Sequence, residues 1–350
     1  MTRALATEIC NLFGVKHPIV QTGMGWVAGP RLASATSNAG GLGIIAAATM
    51  SLDELDRAIS EVKTRTDNPF GVNIRTDQKD TQDRVALIAS HQVRVASFAQ
   101  APNEKIVSLL RQAGVVTMAT IGAARHAKKV EQMGVDCVIA QGGEGGGHTG
   151  SIPTSLLIPS VVDAVKIPVI AAGGFYDGRQ LVAALALGAA GIAMGTRFLL
   201  SSESRVPDEV KERYIASGLL DTVVTTAIDG APQRVIRTDR VDEMERSGLL
   251  SRYLRAIRAA IAFKAISGES LVSLAREARL MRTSQEIPWS QVIMAATAPM
   301  LTKAAMVDGD LRVGILPTGQ VVGSIGNLPS VQEIIDQVVS EAHECLAKLV

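Results

Sequence analysis

Aromatic side chains are scarce in this chain: Phe, Tyr and Trp together make up 3% of its 350 residues. A β-sandwich normally draws on them to fill its core, so their scarcity argues against that class. Cysteine is rarer still. Cys10, Cys137 and Cys345 are too few and too scattered for a disulfide framework or a zinc site, and no metal is expected. Neither sign of charge dominates, with 35 basic residues against 34 acidic ones and a net charge of +1. Nucleic-acid binders usually carry a strong basic excess, so no nucleic-acid partner is expected. No apolar run reaches membrane-spanning length and no apolar leader follows the start. The expectation is a cytoplasmic protein with no membrane partner, and a homo-oligomer stays open.

What is present is small and aliphatic. Hydrophobic residues make up 47% of the chain, enough for one large domain or two ordinary ones. Short β-branched runs occupy residues 17–21, 43–47, 70–74, 94–98, 115–120, 137–141, 168–172 and 191–195. Helical stretches lie between them at 30–38, 51–64, 81–89, 103–112, 123–133, 155–165 and 177–187. Ser51 with Glu54 reads as a capping box, and Gly114, Gly134 and Gly188 read as helix stops. Continuous apolar strands of this kind suit a parallel sheet covered on both faces. Eight units at a spacing of roughly 25 residues predict a (β/α)8 TIM barrel, with a doubly wound sheet as the rival. The repeat breaks after Leu200. Residues 201–305 are expected to form a mostly helical insertion near the eighth unit, and 306–350 to return to a barrel begun by 1–200.

Active sites of such barrels sit at the C-terminal ends of the strands. Gly173-Gly174 and Gly195-Thr196 fall at the ends of the seventh and eighth runs, where this fold often binds phosphate on glycine-freed N–H groups. Ordinary turn glycines would look the same. Asn73 and Gln141 end apolar strands and need polar partners if buried, supplied by a local turn or by a ligand. After Gln141 comes "GGEGGGHTG", six glycines around Glu144 and His148. A hinge needs the glycines but not the histidine.

"PIVQTGMGWVAGPRLASATSNAGGLG", "GVNI", "QGGEGGGHTG", "AAGGF" and "AMGTRFLLSSES" together resemble the FMN-dependent nitronate monooxygenase family, which also includes FMN-dependent enoyl reductases. The resemblance implies an FMN-binding barrel with a small helical domain. It implies flavin contacts from Thr22, Gly23, Met24 and Asn73, with Gln141, Gly146 and Gly147 lining the cofactor. Gly173, Gly174, Gly195 and Thr196 would hold its phosphate. His148 matches the family's catalytic histidine, and Glu144 is the second candidate base. Two departures stand out. Gly145 replaces a common alanine, and Gln21-Thr22-Gly23-Met24 replaces a common Gln-Ala-Pro-Met, which suggests reshaped space near the flavin.

A second resemblance runs through the insertion, carried by Val206-Pro207-Asp208, Arg213-Tyr214, residues 222–226, Asp229-Gly230, Trp289 and residues 298–301. These stretches are similar to actinobacterial flavoproteins of steroid ring C/D breakdown. That similarity implies dehydrogenation of a hydroxy-methyl-oxo-octahydroindene carboxyl-CoA thioester, with NAD as electron acceptor. Residues 246–282 carry eight basic residues against two acidic ones. Arg252, Arg255 and Arg258 would line one helical flank and suit the phosphates of coenzyme A, although a solvated face is the ordinary reading of such a run. Nitronate oxidation, enoyl reduction and a non-enzymatic flavin-binding role remain the alternatives.

Overall fold

The computed structural model describes residues 5–246 and 289–349. Its strands are β1 (Ile19–Gln21), β2 (Leu42–Ala46), β3 (Phe70–Ile74), β4 (Val95–Phe98), β5 (Val116–Ile121), β6 (Cys137–Gln141), β7 (Gly147–His148), β8 (Val169–Ala172), β9 (Gly191–Met194), β10 (Thr222–Thr225) and β11 (Gln233–Ile236). All but β7, β10 and β11 close into one parallel barrel in the order β1-β2-β3-β4-β5-β6-β8-β9. Closure comes from β9 pairing with β1, with Met194 opposite Gln21. The expected barrel is therefore the observed one, and the doubly wound alternative falls away.

The helices are α1 (Glu8–Phe13), α2 (Pro30–Asn38), α3 (Leu52–Arg65), α4 (Thr81–Ser90), α5 (Glu104–Gln112), α6 (Ala124–Gln132), α7 (Thr154–Val162), α8 (Gly178–Ala186), α9 (Thr196–Leu199), α10 (Asp208–Ile215), α11 (Asp239–Arg246), α12 (Trp289–Met306) and α13 (Val331–Leu349). The capping box read from Ser51 and Glu54 forms: Ser51 N–H donates to Glu54 Oε2 at 2.7 Å, and Glu54 N–H donates to Ser51 Oγ at 3.2 Å. Such reciprocal bonds satisfy two helix-end donors at once.

Inside the barrel lies an aliphatic cluster that includes Val20, Leu42, Ile44, Val95, Met118, Ile139, Ile170 and Ala193. Ile9 and Phe13 of α1, both fully buried, join this cluster and plug the end of the barrel opposite the strand C-termini. Each such side chain contributes about 1.5–3 kcal/mol by leaving water. The outer cluster joins the strands to the helical ring. Helix α9 is a single turn, and the long α13 packs against α8, α2 and α9 beside it. Its buried stripe, Val331, Ile334, Ile335, Val338 and Ala342, follows helical spacing.

Beyond the barrel, residues expected to be mostly helical also carry β10 and β11. These pair antiparallel, and β11 pairs in turn with the two-residue β7. Sequence period did not expose these strands because each is only four residues long. That small sheet positions the site.

Candidate active site

The strand C-termini carry a polar layer above the aliphatic interior. Asn73 and Ser97 are register partners on β3 and β4, and Asn73 Nδ2 donates to Ser97 Oγ at 3.2 Å. Thr22 continues β1, its N–H donating to Met194 O at 3.2 Å. Met24 follows, its carbonyl accepting the Ala28 N–H at 2.8 Å. Gln21, fully buried, pairs with the backbone of β2 instead, through Ile44 O and Ile44 N at 3.2 Å each.

At the ends of β8 and β9 the backbone offers donors. Ala172 is the register partner of Ala193, so the two strand ends are neighbours about 4.8 Å apart. Among the described residues, no hydrogen bond takes up the N–H of Gly174, Gly195 or Thr196. Unpaired backbone donors at neighbouring strand ends are a means by which a fold receives an anion. Thr196 Oγ1 is engaged elsewhere, accepting from Gly319 N–H at 2.9 Å. The next residue, Arg197, is buried and donates to Asn327 Oδ1 at 2.9 Å and Leu200 O at 2.7 Å. Burial lowers its pKa to about 10.

Gly173 and Gly174 differ in role. Both lie in the left-handed region, at φ 100° and 84°. A Cβ on Gly173 would fall 2.9 Å from Thr154 Oγ1 and 3.0 Å from Gly142 O, so packing alone demands this glycine. A Cβ on Gly174 would meet nothing closer than Glu144 Cβ at 3.5 Å.

The glycine-rich loop is held from several sides. Gln141 Nε2 donates to His148 O at 2.7 Å. Glu144 Oε2 accepts the Thr154 N–H at 2.9 Å and lies 2.6 Å from the Thr154 hydroxyl, at the start of α7. Gln320 N–H donates to Glu144 O at 2.9 Å. Arg234 donates to Gly143 O at 2.9 Å and to Thr222 Oγ1 at 2.9 Å, tying loop to sheet. Gly146 lies against the backbone of residues 318–319, where a Cβ would come 2.3 Å from the Thr318 carbonyl carbon. Gly147, at φ 64°, has open space around it.

The two departures from the common family pattern have a steric reading. A Cβ at position 145 would sit 2.7 Å from Gln141 Nε2, and one at position 23 would sit 2.5 Å from Asn73 Cβ. The room released by each glycine is filled by Gln141 and Asn73, which reshapes the mouth without emptying it.

His148 stands on β7 opposite Gln233 of β11. Its side chain is 66% exposed, and its Nε2 lies 2.6 Å from Oδ2 of Asp229, which is 7% exposed. Gln233 Nε2 donates to the same carboxylate oxygen at 2.6 Å, and Ala231 N–H donates to Oδ1 at 3.0 Å. Burial alone would push the Asp229 carboxyl up; bonds from His148, Ala231 and Gln233, with the histidine's charge, hold it below the usual carboxylate range. Arg75, at the end of β3, bonds Asp77 at 2.9 and 2.6 Å. That pairing raises Arg75 against the lowering effect of burial, and the charge of Asp229 adds to it. An imidazole held by a buried carboxylate at the strand C-termini can take and return protons. Among the described residues no group of His, Cys, Asp and Glu is placed to hold a metal ion, and no helix is long and apolar enough to cross a membrane.

The structure thus gathers Thr22, Gly23, Met24, Asn73, Gln141, Glu144, Gly146, Gly147, Gly174, Gly195, Thr196 and His148 around one mouth, with Gly173 packed beneath. Arg252, Arg255 and Arg258 lie outside the described residues. Asp229, Gln233 and Arg234 were not expected there. Asp229-Gly230 stood out only as part of a longer resemblance, and nothing in its spacing tied it to a loop about 80 residues earlier.

Comparison with known proteins finds relatives over nearly the whole chain. The nitronate monooxygenase family model matches residues 6–86 and 81–341. The (3aS,4S,5R,7aS)-5-hydroxy-7a-methyl-1-oxo-octahydro-1H-indene-4-carboxyl-CoA dehydrogenase of Rhodococcus jostii is 55% identical over 338 residues, covering 97% of this chain and 96% of its own. A probable nitronate monooxygenase of Staphylococcus saprophyticus is 34% identical over 287 residues, covering 69% of this chain and 81% of its own. Among solved structures, FabK from Thermotoga maritima superposes with a TM-score of 0.79 at 36% identity, covering 98% of both chains. The chain belongs to the nitronate monooxygenase family.

Proposed function

We propose that this protein is an FMN-dependent oxidoreductase that dehydrogenates a steroid-derived octahydroindene carboxyl-CoA thioester across Cα–Cβ. One observation carries the choice of substrate. The indene-carboxyl-CoA dehydrogenase of Rhodococcus jostii is 55% identical over 97% of the chain, whereas the probable nitronate monooxygenase of Staphylococcus saprophyticus is 34% identical over 69%.

The residues present fit FMN. The unpaired N–H groups of Gly174, Gly195 and Thr196 suit a terminal phosphate, and Thr22, Gly23, Met24, Asn73, Gln141, Gly146 and Gly147 border the space a flavin ring would need. When bound, FMN supplies the acceptor for the hydride leaving Cβ, with NAD as the terminal oxidant. His148 removes the Cα proton, which the thioester carbonyl makes acidic. Asp229 stabilises the imidazolium that results. Glu144, bonded to Thr154, keeps the glycine loop in place rather than exchanging protons. Arg252, Arg255 and Arg258, which lie outside the described residues, are assigned to the phosphates of coenzyme A on their charge alone.

Anaerobic mixing of the purified yellow protein with candidate thioesters and with propionate 3-nitronate tests the reading. Flavin bleaching by a thioester, reversed by NAD, is expected. Bleaching by the nitronate alone would make nitronate oxidation the function.

A further inference from the structure

We infer that Asp229 is a positioning residue that sets the tautomer of His148 and leaves Nδ1 as the ring atom that accepts the substrate proton. The inference rests on the base role proposed above. An ionised carboxylate only accepts hydrogen bonds, and Asp229 Oδ2 lies 2.6 Å from His148 Nε2. In the neutral imidazole the proton therefore sits on Nε2 and the free lone pair on Nδ1. Gln233 Nε2, 3.3 Å from the same ring nitrogen, then faces another donor, and its hydrogen bond goes to Asp229 Oδ2 at 2.6 Å. Nδ1 makes no hydrogen bond among the described residues, on a side chain that is 66% exposed. The nitrogen left open to a substrate is the one that can take a proton.

Asp229 is itself fixed, and this gives Asp229→Asn a definite consequence. Ala231 N–H, 3.0 Å from Oδ1, needs an oxygen opposite it. The Ala231 N–H is fixed in the backbone, so the substituted amide turns its oxygen toward it and its NH2 toward His148, and the Gln233 amide flips to present Oε1 to that NH2. Nε2 then becomes an acceptor and the proton moves to Nδ1, so the lone pair turns away from the substrate. Shape and volume barely change.

Long-range 1H–15N spectra of FMN-loaded protein labelled with 15N-histidine report the tautomer of each of the five histidines, with His148→Gln identifying the signal. The expected result is Nε2–H in the wild type and Nδ1–H in Asp229→Asn, with flavin content unchanged. Flavin reduction by the thioester should fall roughly 100- to 10,000-fold in that variant, the range for loss of a correctly presented base. An Nδ1–H wild type, or one tautomer shared by both proteins, overturns the inference. The wild-type spectrum alone decides the tautomer even if the variant is unstable. Failure of the underlying reading looks different: the tautomer flips as described, yet His148→Ala still reduces flavin at the wild-type rate.

Discussion

Gly174→Ala separates the conformational need for a glycine from the need for a cofactor. The residue sits at φ 84°, where an L side chain costs about 1–2 kcal/mol. Its added Cβ would meet no atom closer than 3.5 Å, so no steric penalty adds to that figure. The apo variant should therefore fold, with its Tm lowered by only a few degrees. Binding of FMN should suffer more, because the methyl group stands beside an N–H assigned to the phosphate. Loss of one hydrogen bond to a charged group is worth roughly 1.5–3 kcal/mol, which raises Kd by about 10- to 150-fold. Thermal unfolding of apoprotein and quenching of flavin fluorescence on titration give the two quantities independently. Gly173→Ala is the contrast, since its Cβ would strike Thr154 Oγ1 and Gly142 O and should destabilise the apoprotein itself. An unchanged FMN Kd in Gly174→Ala, with the small loss of Tm present, would refute the phosphate assignment.

His148→Ala should keep its flavin but slow reduction by the thioester by about two to four orders of magnitude, measured by stopped-flow absorbance; an unchanged rate moves the proton transfer elsewhere. Neutralising Arg252, Arg255 and Arg258 together should raise KM for the acyl-CoA and leave turnover of small nitroalkanes unaltered. The difference should shrink with salt, because exposed charge pairs are screened within about 10 Å at 0.1 M. For Asp229, a folded-state pKa lowered from the ordinary aspartate value means that its charged form adds stability above the unfolded value and loses it as pH falls through the folded one. Urea unfolding should show Asp229→Asn less stable than wild type at neutral pH, with the gap closing in acid below about pH 4. A gap that stays constant into that range would show that the carboxylate's charge contributes nothing.

The barrel was legible because each unit repeats one signal: an apolar run such as 43–47 or 168–172, then a capped helix, then a glycine. Strands buried on both faces leave such runs whatever their neighbours are. That Gly174, Gly195 and Thr196 stand just past β8 and β9 was legible for a related reason, since the repeat alone locates the ends of those strands. Helix α1 escaped notice because six residues hold less than two turns of pattern. Strands β10 and β11 escaped because residues 222–225 are partly exposed and carry no continuous apolar run. Asp229 could not be reached from composition or period. Its meaning lies in a carboxylate oxygen 2.6 Å from an imidazole on another loop, and that distance is set by tertiary pairing alone.

The pairing of β7 with β11 divides the labour of the chain. Every strand of the barrel is complete by Met194, whereas the partners of His148 arrive with residues 229–233. The histidine is therefore seated by a segment that contributes no strand to the barrel. Substitutions within 229–233 can change how the imidazole is held while every barrel strand pairing stays intact.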